Sequence, residues 1–522
     1  MAPARTIDCS LRSRHPTSLR ATGRHVKFID MHDLDVLPGL LTVWRPAPAG
    51  PHSTPWIPDP RPASYLQEAH IREARITGPG PRPPSWLATV FELPGELNAG
   101  TLERALLGWI DRHESLRSRL LPHGGPGAGP RGGRVSRATL RAGTVAMLRT
   151  VVGDFPSGDE LSHRIEALFD QETDPLTWPS FVFATVEHSD TESTALYVGF
   201  DHSNVDGYSI FLIAHEIREL YAAALRGRPA ELAEVGSFLD FAGSERAGAA
   251  LVHSEHEAVA GWRDFVATNG GELPGFPAPP GTPASGTGVI GDVTGQGLGH
   301  GHVGAQAQAG GCEWLLDAQG AQAFQDACVR KGGNFFSGAL ACLAIVAHEN
   351  TGQQQFRAIA PFHTRTDPQW AQSVGWYVGL APVGFAVRGT DAYREVMAEA
   401  GLALKRAKPL AAVPLPRITE ILGMPLEPRF MVSYMDIRRT PGADQWGEWR
   451  AFALRSRRIH PHEVFLWIMR SRHGVYLSFR YPDSEGIRTA VPRYIEQTGW
   501  LMEQIANEGS EDCRGKESAA CS

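Results

Sequence analysis

An imidazole followed at fixed spacing by a carboxylate and a glycine stands out in the segment Asp201-His202-Ser203-Asn204-Val205-Asp206-Gly207. Histidine titrates near neutrality, so His202 is suited to take a proton from a hydroxyl or amine attacking a thioester carbonyl and return it to the leaving thiolate. Such a shuttle needs one well-held ring. Asp206, four residues on, is placed to brace the turn or to pair with a distant arginine, and Gly207 lets a substrate approach the backbone closely. The spacing alone arises by accident in roughly a few per cent of chains this long. Its setting makes it informative: apolar runs of strand length at Phe181 to Val186 and Ala195 to Phe200 lead straight into it, with the polar turn His188 to Thr194 between them. After it, Ile210, Phe211, Ile213, Ala214, Ile217, Leu220, Tyr221 and Ala224 mark a helix closed by Gly227 and Pro229. His202 is therefore expected at a strand-to-helix turn, where a rigid sheet displays side chains at its end.

The elements that position this turn belong to a long chain. At 522 residues it exceeds what one core supports, and two domains follow as the natural division. The apolar share of 42% and charged share of 20% are those of an ordinary folded protein, which excludes disorder over most of the length. A net charge of −7 with dispersed Lys and Arg argues against nucleic acid as a partner. Arg455-Ser456-Arg457-Arg458 reads as a solvated face or strand edge. The six cysteines show no CxxC or zinc spacing and suggest reduced thiols in a cytoplasmic protein. No secretory signal or transmembrane run is found, and a monomer is expected.

Composition divides the chain into an N-terminal arm over residues 1–60 with a short ordered piece around Phe28 to Trp44, a first domain over 61–267 carrying the motif, a Gly/Pro-rich linker over 268–311, a second domain over 312–507 and a disordered tail over 508–522. Leu102, Ala105, Leu106, Trp109 and Ile110 recur at helical spacing. Gly124 to Gly133 lacks the Gly-Lys-Ser/Thr ending of a phosphate loop and reads as a surface connection. The second half gives helices near Ala321 to Cys328 and Phe335 to Glu349. Its strands are expected near Phe356 to Pro361, Ala381 to Val387, Phe430 to Tyr434, Val464 to Met469 and Val475 to Phe479. Gly332-Gly333-Asn334-Phe335-Phe336-Ser337 reads as a helix start rather than a phosphopantetheine site. His460, His462 and Glu463 match no standard zinc spacing and read as a surface turn; no metal is expected.

The motif resembles the His-His-x-x-x-Asp-Gly signature of the condensation-domain and chloramphenicol-acetyltransferase superfamily. Other segments fit in order. Ser64-Tyr65-Leu66-Gln67-Glu68 resembles the family's opening segment, and Arg112-His113-Glu114-Ser115-Leu116-Arg117 its Arg-His-Glu-x-Leu-Arg signature. Pro361-Phe362-His363-Thr364-Arg365, then Val374-Gly375-Trp376-Tyr377-Val378-Gly379, and finally Phe430-Met431-Val432-Ser433-Tyr434 are similar to later segments. The resemblance covers roughly residues 60–505, is closest to the polyketide-associated acyltransferases, and implies an α+β protein. Two chloramphenicol-acetyltransferase-like α/β sandwich domains would form a V-shaped pseudo-dimer with a central tunnel and the motif at its midpoint. It implies His202 as general base, with Asp206 salt-bridged to Arg365 and Gly207 and Asp201 orienting. It also implies Ser433, Trp376 and Gly375 as tunnel residues. Acyl-CoA or a phosphopantetheinyl carrier protein would donate the acyl group to an alcohol, sugar or amine, with no tightly bound cofactor.

Asp201 replaces the family's first motif histidine, a mostly structural position. The same letters also read Asp201-x4-Asp206-x2-Ser209, the pattern of heterocyclisation domains of peptide synthesis. A third reading is an inactive relative that docks carrier proteins.

Overall fold

A computed structural model describes all residues except 1–26, 51–55, 77–83, 123–134, 189–192, 282–307, 389–391, 458–461 and 521–522. The connection around Gly124 to Gly133, most of the expected linker and His460 lie outside the described residues.

The strands Phe181–Glu187 and Thr194–Asp201 pair antiparallel, Phe181 opposite Phe200, as their apolar runs suggest. Both are buried on two sides, which is why their sequences lack polar alternation. Phe181 and Phe183 point into one core with the helices Ala99–Arg112 and Gly207–Leu225, while Val182 and Ala184 point into another with the helix Gly158–Glu172. Side chains alternate along a strand, so one sheet serves both cores. In full, this sheet has seven strands in the order Phe28–Asp30, Phe452–Arg455, Trp86–Glu92, Thr194–Asp201, Phe181–Glu187, Gly39–Pro48 and Val145–Phe155.

A second sheet of six strands runs Gln308–Asp317, Gly474–Pro482, Val464–Ser471, Phe430–Asp436, Gln355–His363 and Val378–Ala386. Ala358, Ala360 and Val432 face a core shared with the helices Ala318–Arg330, Phe335–Thr351, Tyr393–Leu410 and Glu485–Ala520. Ile359 and Met431 face the helices Glu257–Ala267 and Leu415–Leu422. Two helix-covered sheets are the α+β sandwich lobes expected of a chloramphenicol-acetyltransferase-like protein. A small third sheet joins Ile57–Asp59, Val135–Thr139 and Ser118–Pro122.

Three segments differ from their expected placement. The segment read as an arm supplies two strands of the first sheet, and Leu41, Val43 and Trp44 are fully buried there. Its prolines hide the strand in the sequence, yet Pro46 and Pro48 fall beyond Leu40–Trp44, the stretch paired on both sides, so no ladder bond is lost between two neighbours. Arg455 is not solvated. Its strand lies between Phe28–Asp30 and Trp86–Glu92, and its guanidinium donates to Asp30 Oδ1 at 2.7 Å, Ser478 Oγ at 2.9 Å and the Phe479 carbonyl at 2.9 Å. The last helix, Glu485–Ala520, runs into the expected tail. Asn334 caps Phe335–Thr351 reciprocally with Ser337, so that serine is spent on the helix start.

Candidate active site

The strand Thr194–Asp201 ends at the motif, and four bonds fix the turn that follows. The His202 amide donates to the Ser85 carbonyl at 3.2 Å and the Asn204 amide to that of Asp201 at 3.0 Å. Gln67 Nε2 donates to the Ser203 carbonyl at 2.9 Å and Asn204 Nδ2 to Ser180 Oγ at 2.8 Å. These contacts settle the backbone and leave the His202 side chain half-buried. Its Nδ1 is enclosed without a hydrogen-bond partner.

Asp206 caps the helix Gly207–Leu225, accepting from the Ser209 amide at 2.7 Å and Ser209 Oγ at 2.8 Å. The same carboxylate accepts Arg365 Nη1 at 2.7 Å, Arg365 Nη2 at 3.0 Å and the Tyr377 amide at 3.0 Å. Burial works against its ionisation, but the Arg365 charge and these donors outweigh it and hold the carboxyl below its ordinary range. Asp206 is thus the joint between motif and second half. Arg365 also lies over the Tyr377 ring at 4.3 Å.

That joint fixes Gly375 and Trp376. Ser209 Oγ accepts from the Gly375 amide at 3.2 Å and stands 3.0 Å from its carbonyl. A Cβ at Gly375 would meet the Phe238 ring at 2.3 Å, so only glycine fits. Trp376 then lies against His202, ring centroids 4.2 Å apart and planes 37° from parallel. From the first half, the buried His113 bonds Glu216 at 2.6 Å and accepts the Val374 amide at 3.4 Å, while Ser115 Oγ donates to the Val374 carbonyl at 3.3 Å. The Arg-His-Glu-x-Leu-Arg segment therefore holds the loop that carries Trp376.

Asp201 is fully enclosed and accepts from the Ser203 amide at 2.9 Å, Ser85 Oγ at 2.8 Å and His70 Nε2 at 2.9 Å. Burial opposes its charge, yet the facing His70 and the Ser203 donors hold its pKa below the ordinary value. His70 and Ser85 were not singled out from sequence. A signal was present for His70: it follows Gln67 by three residues, the spacing of one helix face, in the helix Tyr65–Ile76.

For His202, burial pushes the pKa down to about 4; nearby His70 pushes the same way, Asp201 and Asp206 the other. The ring is neutral at physiological pH. Gly207 is less confined than Gly375: an added Cβ would meet Met435 at 3.5 Å, an ordinary contact. Ser433 is buried on the strand Phe430–Asp436 and shares a face with Met435, which reaches the start of the motif helix. Two small voids of about 10 and 30 Å³ lie elsewhere, and His202 lines neither. Glu463 is taken by Arg480 Nε at 2.8 Å. Among the described residues no helix is long and apolar enough to cross a membrane.

The three positions of the heterocyclisation pattern are engaged in these folding contacts: Asp201 with His70, and Asp206 with Ser209. The model of the condensation domain matches residues 84–431. Acyltransferase PapA3 of Mycobacterium tuberculosis is 24% identical over 485 residues, covering 91% of this chain and 95% of that protein. The 2'-acyl-2-O-sulfo-trehalose (hydroxy)phthioceranyltransferase PapA1 of Mycobacterium bovis is 27% identical over 403 residues, covering 76% and 71%. The solved structure of a PapA2 acyl transferase superposes with a TM-score of 0.78 at 22% identity, covering 92% of this chain and 99% of its own. With its two sandwich lobes and its motif at a strand-to-helix turn, the chain belongs to the condensation-domain family, as an acyltransferase related to the polyketide-associated enzymes.

Proposed function

We propose that this acyltransferase moves an acyl chain from a thioester, on coenzyme A or a phosphopantetheinyl carrier protein, to a hydroxyl of a sugar-like acceptor, with His202 as general base. The observation that carries the reading is the His202 ring itself. It is half-buried, clasped against Trp376 from the second half, with Nδ1 enclosed and its pKa pushed down by burial. With the ring proton on Nδ1, Nε2 accepts the hydroxyl proton as the oxygen attacks the carbonyl. The tetrahedral intermediate collapses, the carbon–sulfur bond breaks, and the proton passes to the departing thiolate, leaving an ester and a free thiol. A passage between the lobes would bring donor and acceptor to opposite sides of the ring. The sugar acceptor is supported by the relatives named for sulfated trehalose, among them trehalose-2-sulfate acyltransferase PapA2.

The test is thiol release from long-chain acyl-CoA in the presence of sugar, alcohol and amine acceptors, with mass analysis of products. His202→Ala is expected to lower the rate by roughly 10²–10⁴-fold, the usual share of a general base. Undiminished release in that variant removes His202 from the mechanism, and a thiazoline or oxazoline product would identify cyclisation instead.

A further inference from the structure

His70 and Asp201 form a couple that the acyl-transfer step as described does not use. The carboxylate sits on the strand that ends at His202; the imidazole comes from the helix Tyr65–Ile76, with its side chain only 15% exposed. His70 Nε2 lies 2.9 and 3.1 Å from the two carboxylate oxygens. The His70 ring meets Trp376 edge-on, centroids 5.8 Å apart and planes at 82°, while the same indole lies against His202 at 4.2 Å. One tryptophan therefore touches both imidazoles. The enclosed Asp201 carboxylate, held ionised, faces that imidazole as an aspartate faces the histidine of a catalytic triad.

We propose that His70 is a positioning residue of the acyl-transfer site: tied to Asp201, it fixes the Trp376 ring and through it the orientation and charge environment of His202. The couple reaches the reactive ring by two routes. Asp201 is joined to His202 along the chain and fixes the Ser203 amide, and His70 reaches it across Trp376. The titratable and charged groups around His202 are His70 from the helix, Asp201 from the strand, and Asp206 from the turn with Arg365 bound to it. Of these, His70 disfavours protonation of His202 and the two aspartates favour it. The aspartate at the position of the family's first motif histidine is thereby matched by a histidine on a neighbouring helix.

The inference rests on His202 being the base, so its test reads that ring directly. Deuterium exchange at the imidazole C2 position, followed by peptide mass spectrometry, titrates each histidine separately in the full-length protein. His70→Gln keeps an amide donor for Asp201 but has neither ring nor charge; Asp201→Asn removes the carboxylate charge; Trp376→Phe removes the shared indole. In the wild type, His202 should exchange at its plateau rate down to acid pH. In His70→Gln the midpoint should move up by about one unit, as loss of a nearby like charge predicts. Turnover of acyl-CoA by His70→Gln should fall roughly 10–100-fold, with the KM for acyl-CoA within about twofold. A merely structural role leaves the His202 midpoint in place. An unchanged His202 titration in both His70→Gln and Asp201→Asn overturns the proposal. So does an unchanged turnover in His70→Gln where His202→Ala is inactive. Activity surviving in His202→Ala is a different failure, of the base itself.

Discussion

Replacing Arg365 by methionine tests the joint between the two halves most directly. The guanidinium and Asp206 side chains are 4% and 1% exposed, so Arg365→Met leaves a buried carboxylate with only the Ser209 and Tyr377 donors. Breaking a buried pair by removing one member costs about 3–5 kcal/mol, because the remaining charge is uncompensated. With a urea dependence of about 3 kcal/mol per molar or more for a chain this size, the unfolding midpoint should fall by roughly 1 M. Arg438→Met is the control: its pair with Asp436 is 34% exposed on both sides, and such surface pairs contribute at most about 1 kcal/mol. Adding Asp206→Asn to Arg365→Met should restore part of the loss, since both charges are then gone. The pH dependence has a definite sign. Asp206 has a folded pKa below its unfolded one, so its contribution is present at neutral pH and is lost as pH falls through the folded value. The gap between wild type and Arg365→Met should therefore narrow in acid. If Arg365→Met unfolds at the same urea concentration as Arg438→Met, the pair is not the joint described here.

Gly375→Ala forces a methyl to within 2.3 Å of the Phe238 ring and should cost about 1–3 kcal/mol, seen as a lowered thermal midpoint together with lost turnover. Gly207→Ala places its methyl in ordinary contact with Met435, so stability should hold within about 0.5 kcal/mol. Turnover should nevertheless drop if substrate passes over Gly207, and an unchanged rate would make that glycine a simple helix start. Because burial holds the His202 pKa down to about 4, the proposed base is neutral above that value. The acyl-transfer rate should thus show no histidine-linked loss between pH 8 and pH 5 and should decline as pH approaches 4; an acid limb near 6.5 contradicts the enclosed ring.

The turn around His202 was legible because local rules agree there: two apolar runs, a capping aspartate and an amphipathic stretch fall in register with the strand-to-helix change. Arg365, Gly375 and Trp376 were reached through resemblance, since nothing in their own spacing ties them to a residue some 160 positions earlier. His70 was missed for a related reason. The three-residue spacing from Gln67 puts His70 on one helix face but does not name its partner, and Asp201 lies 131 residues away. The strand Phe452–Arg455 is four residues long, and its charged flank Arg455-Ser456-Arg457 reads as surface until Asp30, 425 residues distant, is seen beside it. Proline at 46 and 48 concealed Gly39–Pro48, because whether a strand tolerates proline depends on how many neighbours it has at that point.

The placement of Phe452–Arg455 bears on how the molecule is built and taken apart. A fragment ending before residue 282 lacks the ribbon between Phe28–Asp30 and Trp86–Glu92, and exposes an open ladder along Trp86–Glu92. Such a fragment should be insoluble alone yet recover its missing ribbon when the remainder of the chain is co-expressed. A protease cut among residues 282–307 should accordingly leave both pieces together on a sizing column.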